Sequence, residues 1–141
     1  MENWHDKYQD RLSVGERAQV EFESLWRCAC GGCFERVDSR RLPDYHCRKC
    51  QKRVEVKASS LLADYTISIS QIPLDTMAAD VIIAWRYDTG DWIGCLRRNI
   101  IIAGGPYPPR HAERGTWWYK VSLAGFRPLT TFGLLQVKKV V

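Results

Sequence analysis

Residues 43–58 read PDYHCRKCQKRVEVKA, and the fold turns on this stretch. From Arg53 to Ala58 the valines Val54 and Val56 alternate with charged neighbours, the two-residue period of a half-buried strand. Glu55 and Lys57 therefore share one face, while Val56 turns to the other and into the core. If Asp44 opens the neighbouring strand, with Pro43 fixing the entry, its carboxylate can meet that of Glu55. Two converging carboxylates make a hard-oxygen site that suits Mg²⁺ or Mn²⁺, ions that take few protein ligands and keep waters a substrate phosphate can replace. Lys57 beside them can orient or deprotonate an attacking water, its pKa drawn down by desolvation or the cation, or held up by the carboxylates. A cation there would polarise a phosphoryl oxygen and stabilise charge on the leaving oxygen, which is the chemistry of phosphodiester hydrolysis.

The same stretch carries Cys47-x2-Cys50, and thirteen residues before it lies Cys30-x2-Cys33. Five of the six cysteines fall within residues 28–50; Cys95 stands apart in an apolar stretch. In a reducing compartment such clustering points to metal rather than to disulfides. Two knuckles of this spacing can close tetrahedrally on one Zn²⁺ through Cys30, Cys33, Cys47 and Cys50. Four thiolates leave no coordination position for water, so the zinc is expected to be structural. Cys28 is surplus or takes the place of Cys30, and spacing leaves both open; His46 is a weaker candidate ligand. The expected architecture is a single domain over residues 1–141 with a zinc-binding insertion at about residues 28–50.

Charge is concentrated in the same region. Residues 36–57 hold eight Lys/Arg against Asp38, Asp44 and Glu55, which accounts for the whole formal net charge of +5. Four thiolates with Zn²⁺ add a charge of about −2, lowering the total to about +3. Arg48, Lys49, Lys52 and Arg53 are then the candidates to meet a phosphate backbone.

Working outward, Ser13-Val14-Gly15-Glu16 has the form of a capping box, followed by a helix from about Gly15 to Trp26 with Ala18, Phe22, Leu25 and Trp26 on one face. Val81–Arg86 and Trp92–Arg97 read as strands of a hairpin turning over Asp88–Asp91. Pro73 can open a short helix to about Ala79, Thr116–Leu123 reads as a strand, and Gly104–Pro109 reads as a loop. A chain of 141 residues with 45% hydrophobic and 26% charged residues has room for one core and is too apolar for disorder. No apolar run approaches the roughly 18 residues of a membrane span, and the first residues carry no secretory pattern, so the expected compartment is the cytoplasm. The fold class expected is α/β, a small mixed sheet with helices and a metal-bound insertion.

Pro43-Asp44 and Glu55-Val56-Lys57 resemble the signature of the PD-(D/E)xK nucleases, which include restriction enzymes and archaeal Holliday-junction resolvases. The preceding helix is similar to that of the resolvase branch, with Ala18-Gln19-Val20-Glu21 setting Glu21 as the corresponding acid and Glu16 as the fallback. The resemblance covers roughly residues 14–100. It implies a restriction-endonuclease-like mixed central sheet flanked by helices, metal binding by Asp44 and Glu55, a water-activating role for Lys57, and a further metal or water contact for Glu21. The implied activity is Mg²⁺-dependent cleavage of nucleic acid, most simply DNA, by a chain that can pair as a homodimer. The alternative is a zinc-ribbon module that binds nucleic acid without cutting it.

Several residues have plainer readings. Gln71 follows Ile67–Ser70, where related nucleases often carry a glutamine, but it reads as a polar loop residue. Ser59 and Ser60 can bond phosphate or simply end a strand. Of Trp117, Trp118 and Tyr119, alternate members are expected to pack inward while Trp117 or Tyr119 lies at the surface, where a ring can stack on an unpaired base. His5 and His111 have no partner in the sequence, and Lys138-Lys139 is an ordinary basic end.

Overall fold

The computed structural model describes residues 14–37, 44–60, 65–70, 79–109 and 117–138. Helix α1 spans Val14–Leu25 with Glu16 in its first turn, close to the expected span, and it buries Ala18 and Phe22 as the three-and-four spacing requires. Ser13 and Pro43, the segment at residues 71–78 expected to hold a short helix, and Gln71, His5, His111, Thr116 and Lys139 lie outside the described residues.

After α1 come β1 (Trp26–Cys28), β2 (Phe34–Arg36), β3 (Tyr45–Cys47) and β4 (Arg53–Ser59). Then follow β5 (Thr66–Ser70), β6 (Val81–Arg86), β7 (Asp91–Leu96), β8 (Ile102–Tyr107), β9 (Trp118–Ser122), β10 (Arg127–Pro128) and β11 (Leu135–Val137). The main sheet has the order β10-β7-β6-β4-β3-β2. β2, β3 and β4 form an antiparallel meander, β6 runs parallel to β4, and β7 returns antiparallel to β6. The result is a mixed α/β domain, mostly strand.

The pleat sorts the two faces of this sheet. On one face Val54, Val56, Val81, Ile83 and Trp85 pack with Ala18, Phe22 and Trp26 in the larger core. Phe22 sits at its centre, its ring 4.9 Å from Tyr45 and 5.3 Å from Phe34. Truncating such a side chain costs about 3–5 kcal/mol. β6 is buried along its whole length, as its unbroken run VIIAW implies for a strand covered on both sides. On the opposite face Ile82, Ala84 and Cys95 pack against Ile67, Ile69 and Val121 of a second sheet of order β5-β9-β8. Burial in this core pushes the Cys95 thiol up to about 11.

Gly104–Pro109 departs from expectation. Its first four residues belong to β8, which pairs with β9 at Ile102–Val121, Gly104–Lys120 and Tyr107–Trp118, with register shifts between these pairs. Glycine and proline are tolerated there because β8 is an irregular edge strand, where a missing N–H breaks no interior ladder. A third, two-stranded sheet joins β1 to β11.

Candidate metal centres on the β3–β4 hairpin

The register of the hairpin sets the carboxylates. Tyr45 lies opposite Val54, both on the α1 face, so Asp44 and Glu55 fall on the other face. Tyr45 is fully buried and its hydroxyl donates to the Gln19 carbonyl of α1 at 3.3 Å, which fixes the start of β3 and with it Asp44. Asp80 anchors the far strands. Its carboxylate accepts from the Arg53 amide at 2.8 Å, its own amide donates to the Arg53 carbonyl, and its carbonyl accepts from the Arg97 amide.

Asp44 and Glu55 are laced together. The Asp44 amide donates to Glu55 Oε1 at 3.2 Å, and the Val56 amide donates to Asp44 Oδ2 at 2.9 Å. Lys57 Nζ lies 3.8 Å from Glu55 Oε2 and is partly exposed, whereas Glu55 is only 5% exposed. Burial pushes the Glu55 carboxyl up to about 7; Lys57 pulls it down, while the Asp44 charge and a carboxyl–carboxyl hydrogen bond raise it. Two acids and an amine thus stand together, as the strand period predicts, in an arrangement short of positive charge. Ser59 follows on the same face, its hydroxyl buried with no hydrogen-bond partner among the described residues. The Ser60 hydroxyl instead donates to Asp88 Oδ2 at 2.9 Å, and the Ser60 carbonyl accepts from buried Arg86 at 2.7 Å.

Glu21 is placed differently. It is exposed on α1, as is Glu16, and α1 covers the Val54–Val56 face rather than the face carrying Glu55 and Lys57. No described contact joins either acid to the Asp44–Glu55 pair.

At the turn of the hairpin the Sγ atoms of Cys28, Cys30, Cys47 and Cys50 lie within 4.8 Å of one another. The Cys28–Cys50 and Cys30–Cys47 pairs stand at 3.5 and 3.4 Å. A tetrahedral zinc with Zn–S near 2.3 Å would space its sulfurs about 3.8 Å apart, so the four can hold such an ion. The set corrects the sequence expectation. Cys33 is exposed and outside the group, and Cys28 takes the place of Cys33, not of Cys30. The cause is non-local. β1 is held by β11, the Ala29 amide donates to the Leu134 carbonyl at 3.0 Å, and the turn from Cys28 is closed by the Gly31 amide on the Cys28 carbonyl. Gly32 lets the two knuckles approach, since a β-carbon there would come within 2.8 Å of Cys47 Sγ and 2.7 Å of Lys49 Cβ. His46 instead faces Glu35 of β2, its Nε2 3.8 Å from the carboxylate.

The thiols are unequal. Burial pushes Cys28 up to about 12. Burial also acts to raise Cys47, but amide hydrogen bonds from Cys50 and Lys49 outweigh it and bring Cys47 down to about 6. Lys52 Nζ donates to Cys28 Sγ at 3.4 Å and to the Leu134 carbonyl at 3.1 Å.

The basic residues expected to face phosphate are engaged within the protein. Arg48 lies 3.4 Å from Glu35, Lys49 donates to the Cys30 carbonyl at 3.1 Å, Lys52 is committed to the sulfur cluster, and Arg53 lies 3.9 Å from Asp80. Of the four, Arg48, Lys49 and Arg53 remain exposed to solvent, while Lys52 is turned into the sulfur cluster. Neither the models of known families nor the curated proteins compared with this chain match it. Among the described residues no helix is long and apolar enough to cross a membrane.

Proposed function

We infer that the chain is a divalent-metal-dependent nuclease, with DNA as its expected substrate and a zinc-held hairpin as its scaffold. The observation that carries this reading is the meeting of Asp44 and Glu55 across β3 and β4, with Lys57 on the same face beside Glu55. The topology supports it. An antiparallel meander that continues into a parallel β4–β6 pair, with α1 on one face, is compatible with the restriction-endonuclease-like core that the sequence resemblance implies.

The donors divide by chemistry. Asp44 and Glu55 offer few, hard oxygens and suit Mg²⁺ or Mn²⁺; the four thiolates suit Zn²⁺. A divalent ion held by the two carboxylates supplies Lewis-acid polarisation of a phosphoryl oxygen and stabilisation of the leaving oxygen. Glu55 contributes through its burial, because a carboxylate held short of positive charge gains most from a cation. Lys57 Nζ, partly exposed and anchored near Glu55 Oε2, orients the attacking water and takes part in moving its proton. Asp44 is aligned by the Val56 amide and so presents its oxygens in a fixed direction.

The test is cleavage of supercoiled, linear, single-stranded and branched DNA by purified protein with Mg²⁺, Mn²⁺ or no added divalent ion. Chelator is best avoided because it would strip both centres. Metal-dependent cutting that Asp44→Asn abolishes and Lys57→Met slows by orders of magnitude is expected. Binding without cutting under every condition would leave the non-catalytic zinc-module reading in its place.

A further inference from the structure

The second sheet has an outer face that the site above does not use. β5 and β9 turn Ile67, Ile69 and Val121 toward the core, so Ser68 and Lys120, opposite each other in register, point away from it and are exposed. Trp118 stands on the same outer face as Lys120, and Tyr107 of β8 lies opposite Trp118. The two rings are stacked at 4.7 Å between centroids and 34° between planes. Lys120 Nζ sits 5.5 Å from the Tyr107 ring centre. Trp118 is fixed by its Nε1, which donates to the Pro108 carbonyl at 3.0 Å. Gly104 makes room for the pair, since a β-carbon there would collide with the Tyr107 hydroxyl. The aromatic run divides differently from expectation: Tyr119 packs against the core and Trp118 takes the outer face, while Trp117, just before β9, is 46% exposed.

We propose that this outer face is a stacking platform for unpaired nucleotides, the base resting on the Tyr107–Trp118 pair and an adjoining phosphate meeting the Lys120 ammonium. This rests on the nucleic-acid reading of the preceding section and adds the form of the substrate to it. Three features choose the occupant. β5, β8 and β9 together hold a single charged side chain, the cation Lys120, and no carboxylate, so the face complements an anion. The stacked, partly open rings complement a π-face, which a base offers only when unstacked from its own strand. A neutral glycan would use the rings but offer no charge to the Lys120 ammonium, which already lies at the Tyr107 ring. The platform packs on the same side of the main sheet as Glu55 and Lys57, one sheet spacing of about 10 Å farther out.

The test is fluorescence anisotropy of a labelled oligothymidine of roughly 12 nucleotides, within the site sizes of about 4–16 that such surfaces use, without added divalent ion. The single strand is expected to bind more tightly than the corresponding duplex. Trp118→Leu and Tyr107→Leu each weaken binding at least about fivefold, the lower end of one stacked base, while Trp118→Phe retains it. Lys120→Gln, at an exposed position, lowers the salt slope by about one. Single-strand binding by Trp118→Leu and Lys120→Gln within about twofold of the parent would overturn the platform, as would tighter duplex binding or competition by a neutral oligosaccharide. If the leucine variants do not fold, 4-thiothymidine crosslinking of the unaltered protein decides: adducts on the peptides bearing Tyr107 or Trp118 support the proposal, and adducts confined elsewhere refute it. Failure of the nuclease reading is seen separately, as absence of Mg²⁺-dependent cutting by a protein whose anisotropy still responds to these substitutions. Conversely, intact cutting with unmoved anisotropy sinks the platform alone.

Discussion

At the turn of the β3–β4 hairpin four sulfurs crowd together, while at its open end, three residues before Cys47, Asp44 faces Glu55 with hard oxygens and a lysine alongside. The two ends share their strands but differ in how completely they are built. The sulfur end draws partners from β1, the turn and the Leu134 carbonyl, and its soft donors leave no position for a substrate. The oxygen end is held by two backbone hydrogen bonds, and burial, outweighing the pull of the Lys57 ammonium, holds its Glu55 carboxyl up at about 7. On the nuclease reading, the closed cluster sits on the same two strands that carry the open carboxylate pair. Stability should therefore follow the first and activity the second.

The largest expected effect comes from breaking the closed end. Cys50→Ser removes one thiolate, and structural zinc contributes about 10–16 kcal/mol of apparent folding free energy in small zinc domains. Metal analysis should show loss of bound zinc, and calorimetry loss of a single cooperative transition; a variant that keeps its zinc and its melting temperature would end the claim that the hairpin depends on this cluster. At the open end, Lys57→Met should slow metal-dependent cleavage by about 10²–10⁴-fold with zinc content and melting unchanged. Equal loss of stability and activity would erase the distinction between the ends.

A smaller effect sharpens it. Glu55 titrates at about 7 in the folded protein against an ordinary 4.5. The folded state then holds more protons than the unfolded chain between those values, so without divalent ion stability falls as pH rises through that window. Glu55→Gln should abolish the slope and exceed the parent above it by up to about 3 kcal/mol, and added Mg²⁺ should stabilise only the parent. Urea titrations at several pH values measure this, and a parent curve that stays flat would contradict it. The smallest effect is at Cys33, where Cys33→Ser should leave zinc stoichiometry unchanged and stability within about 0.5 kcal/mol. Loss of zinc there would restore Cys33 to the ligand set.

Much of this arrangement is legible in the chain because it is local. The three-and-four spacing of Ala18 and Phe22 marks α1, the Val54–Val56 alternation marks β4 and puts Glu55 beside Lys57, and VIIAW marks a strand buried on both faces. The β6–β7 hairpin follows from its turn, with Gly90 at φ +81°. What spacing does not disclose is long-range. Cys28 joins the sulfur group because β11 holds β1, and no interval within residues 28–50 encodes that pairing. Lys49 stays at the surface as the sequence suggests, whereas the Lys52 ammonium is bound to the Cys28 sulfur and the Leu134 carbonyl. β8 hides behind its glycines and prolines because an edge strand tolerates what an inner strand does not. Only the pleat shows that Glu21 and Glu55 belong to opposite faces.

The β1–β11 ribbon also bears on synthesis. Arg27 bonds Gln136 across 109 positions, and the Leu134 carbonyl braces Lys52. On a ribosome adding about 5–20 residues per second, the knuckles would emerge on the order of 5–20 s ahead of their closing strand. During that interval the four thiols stand with the outer wall of their enclosure still untranslated, so a metal ion taken up at that stage would shield them from oxidation before it steadied the finished fold.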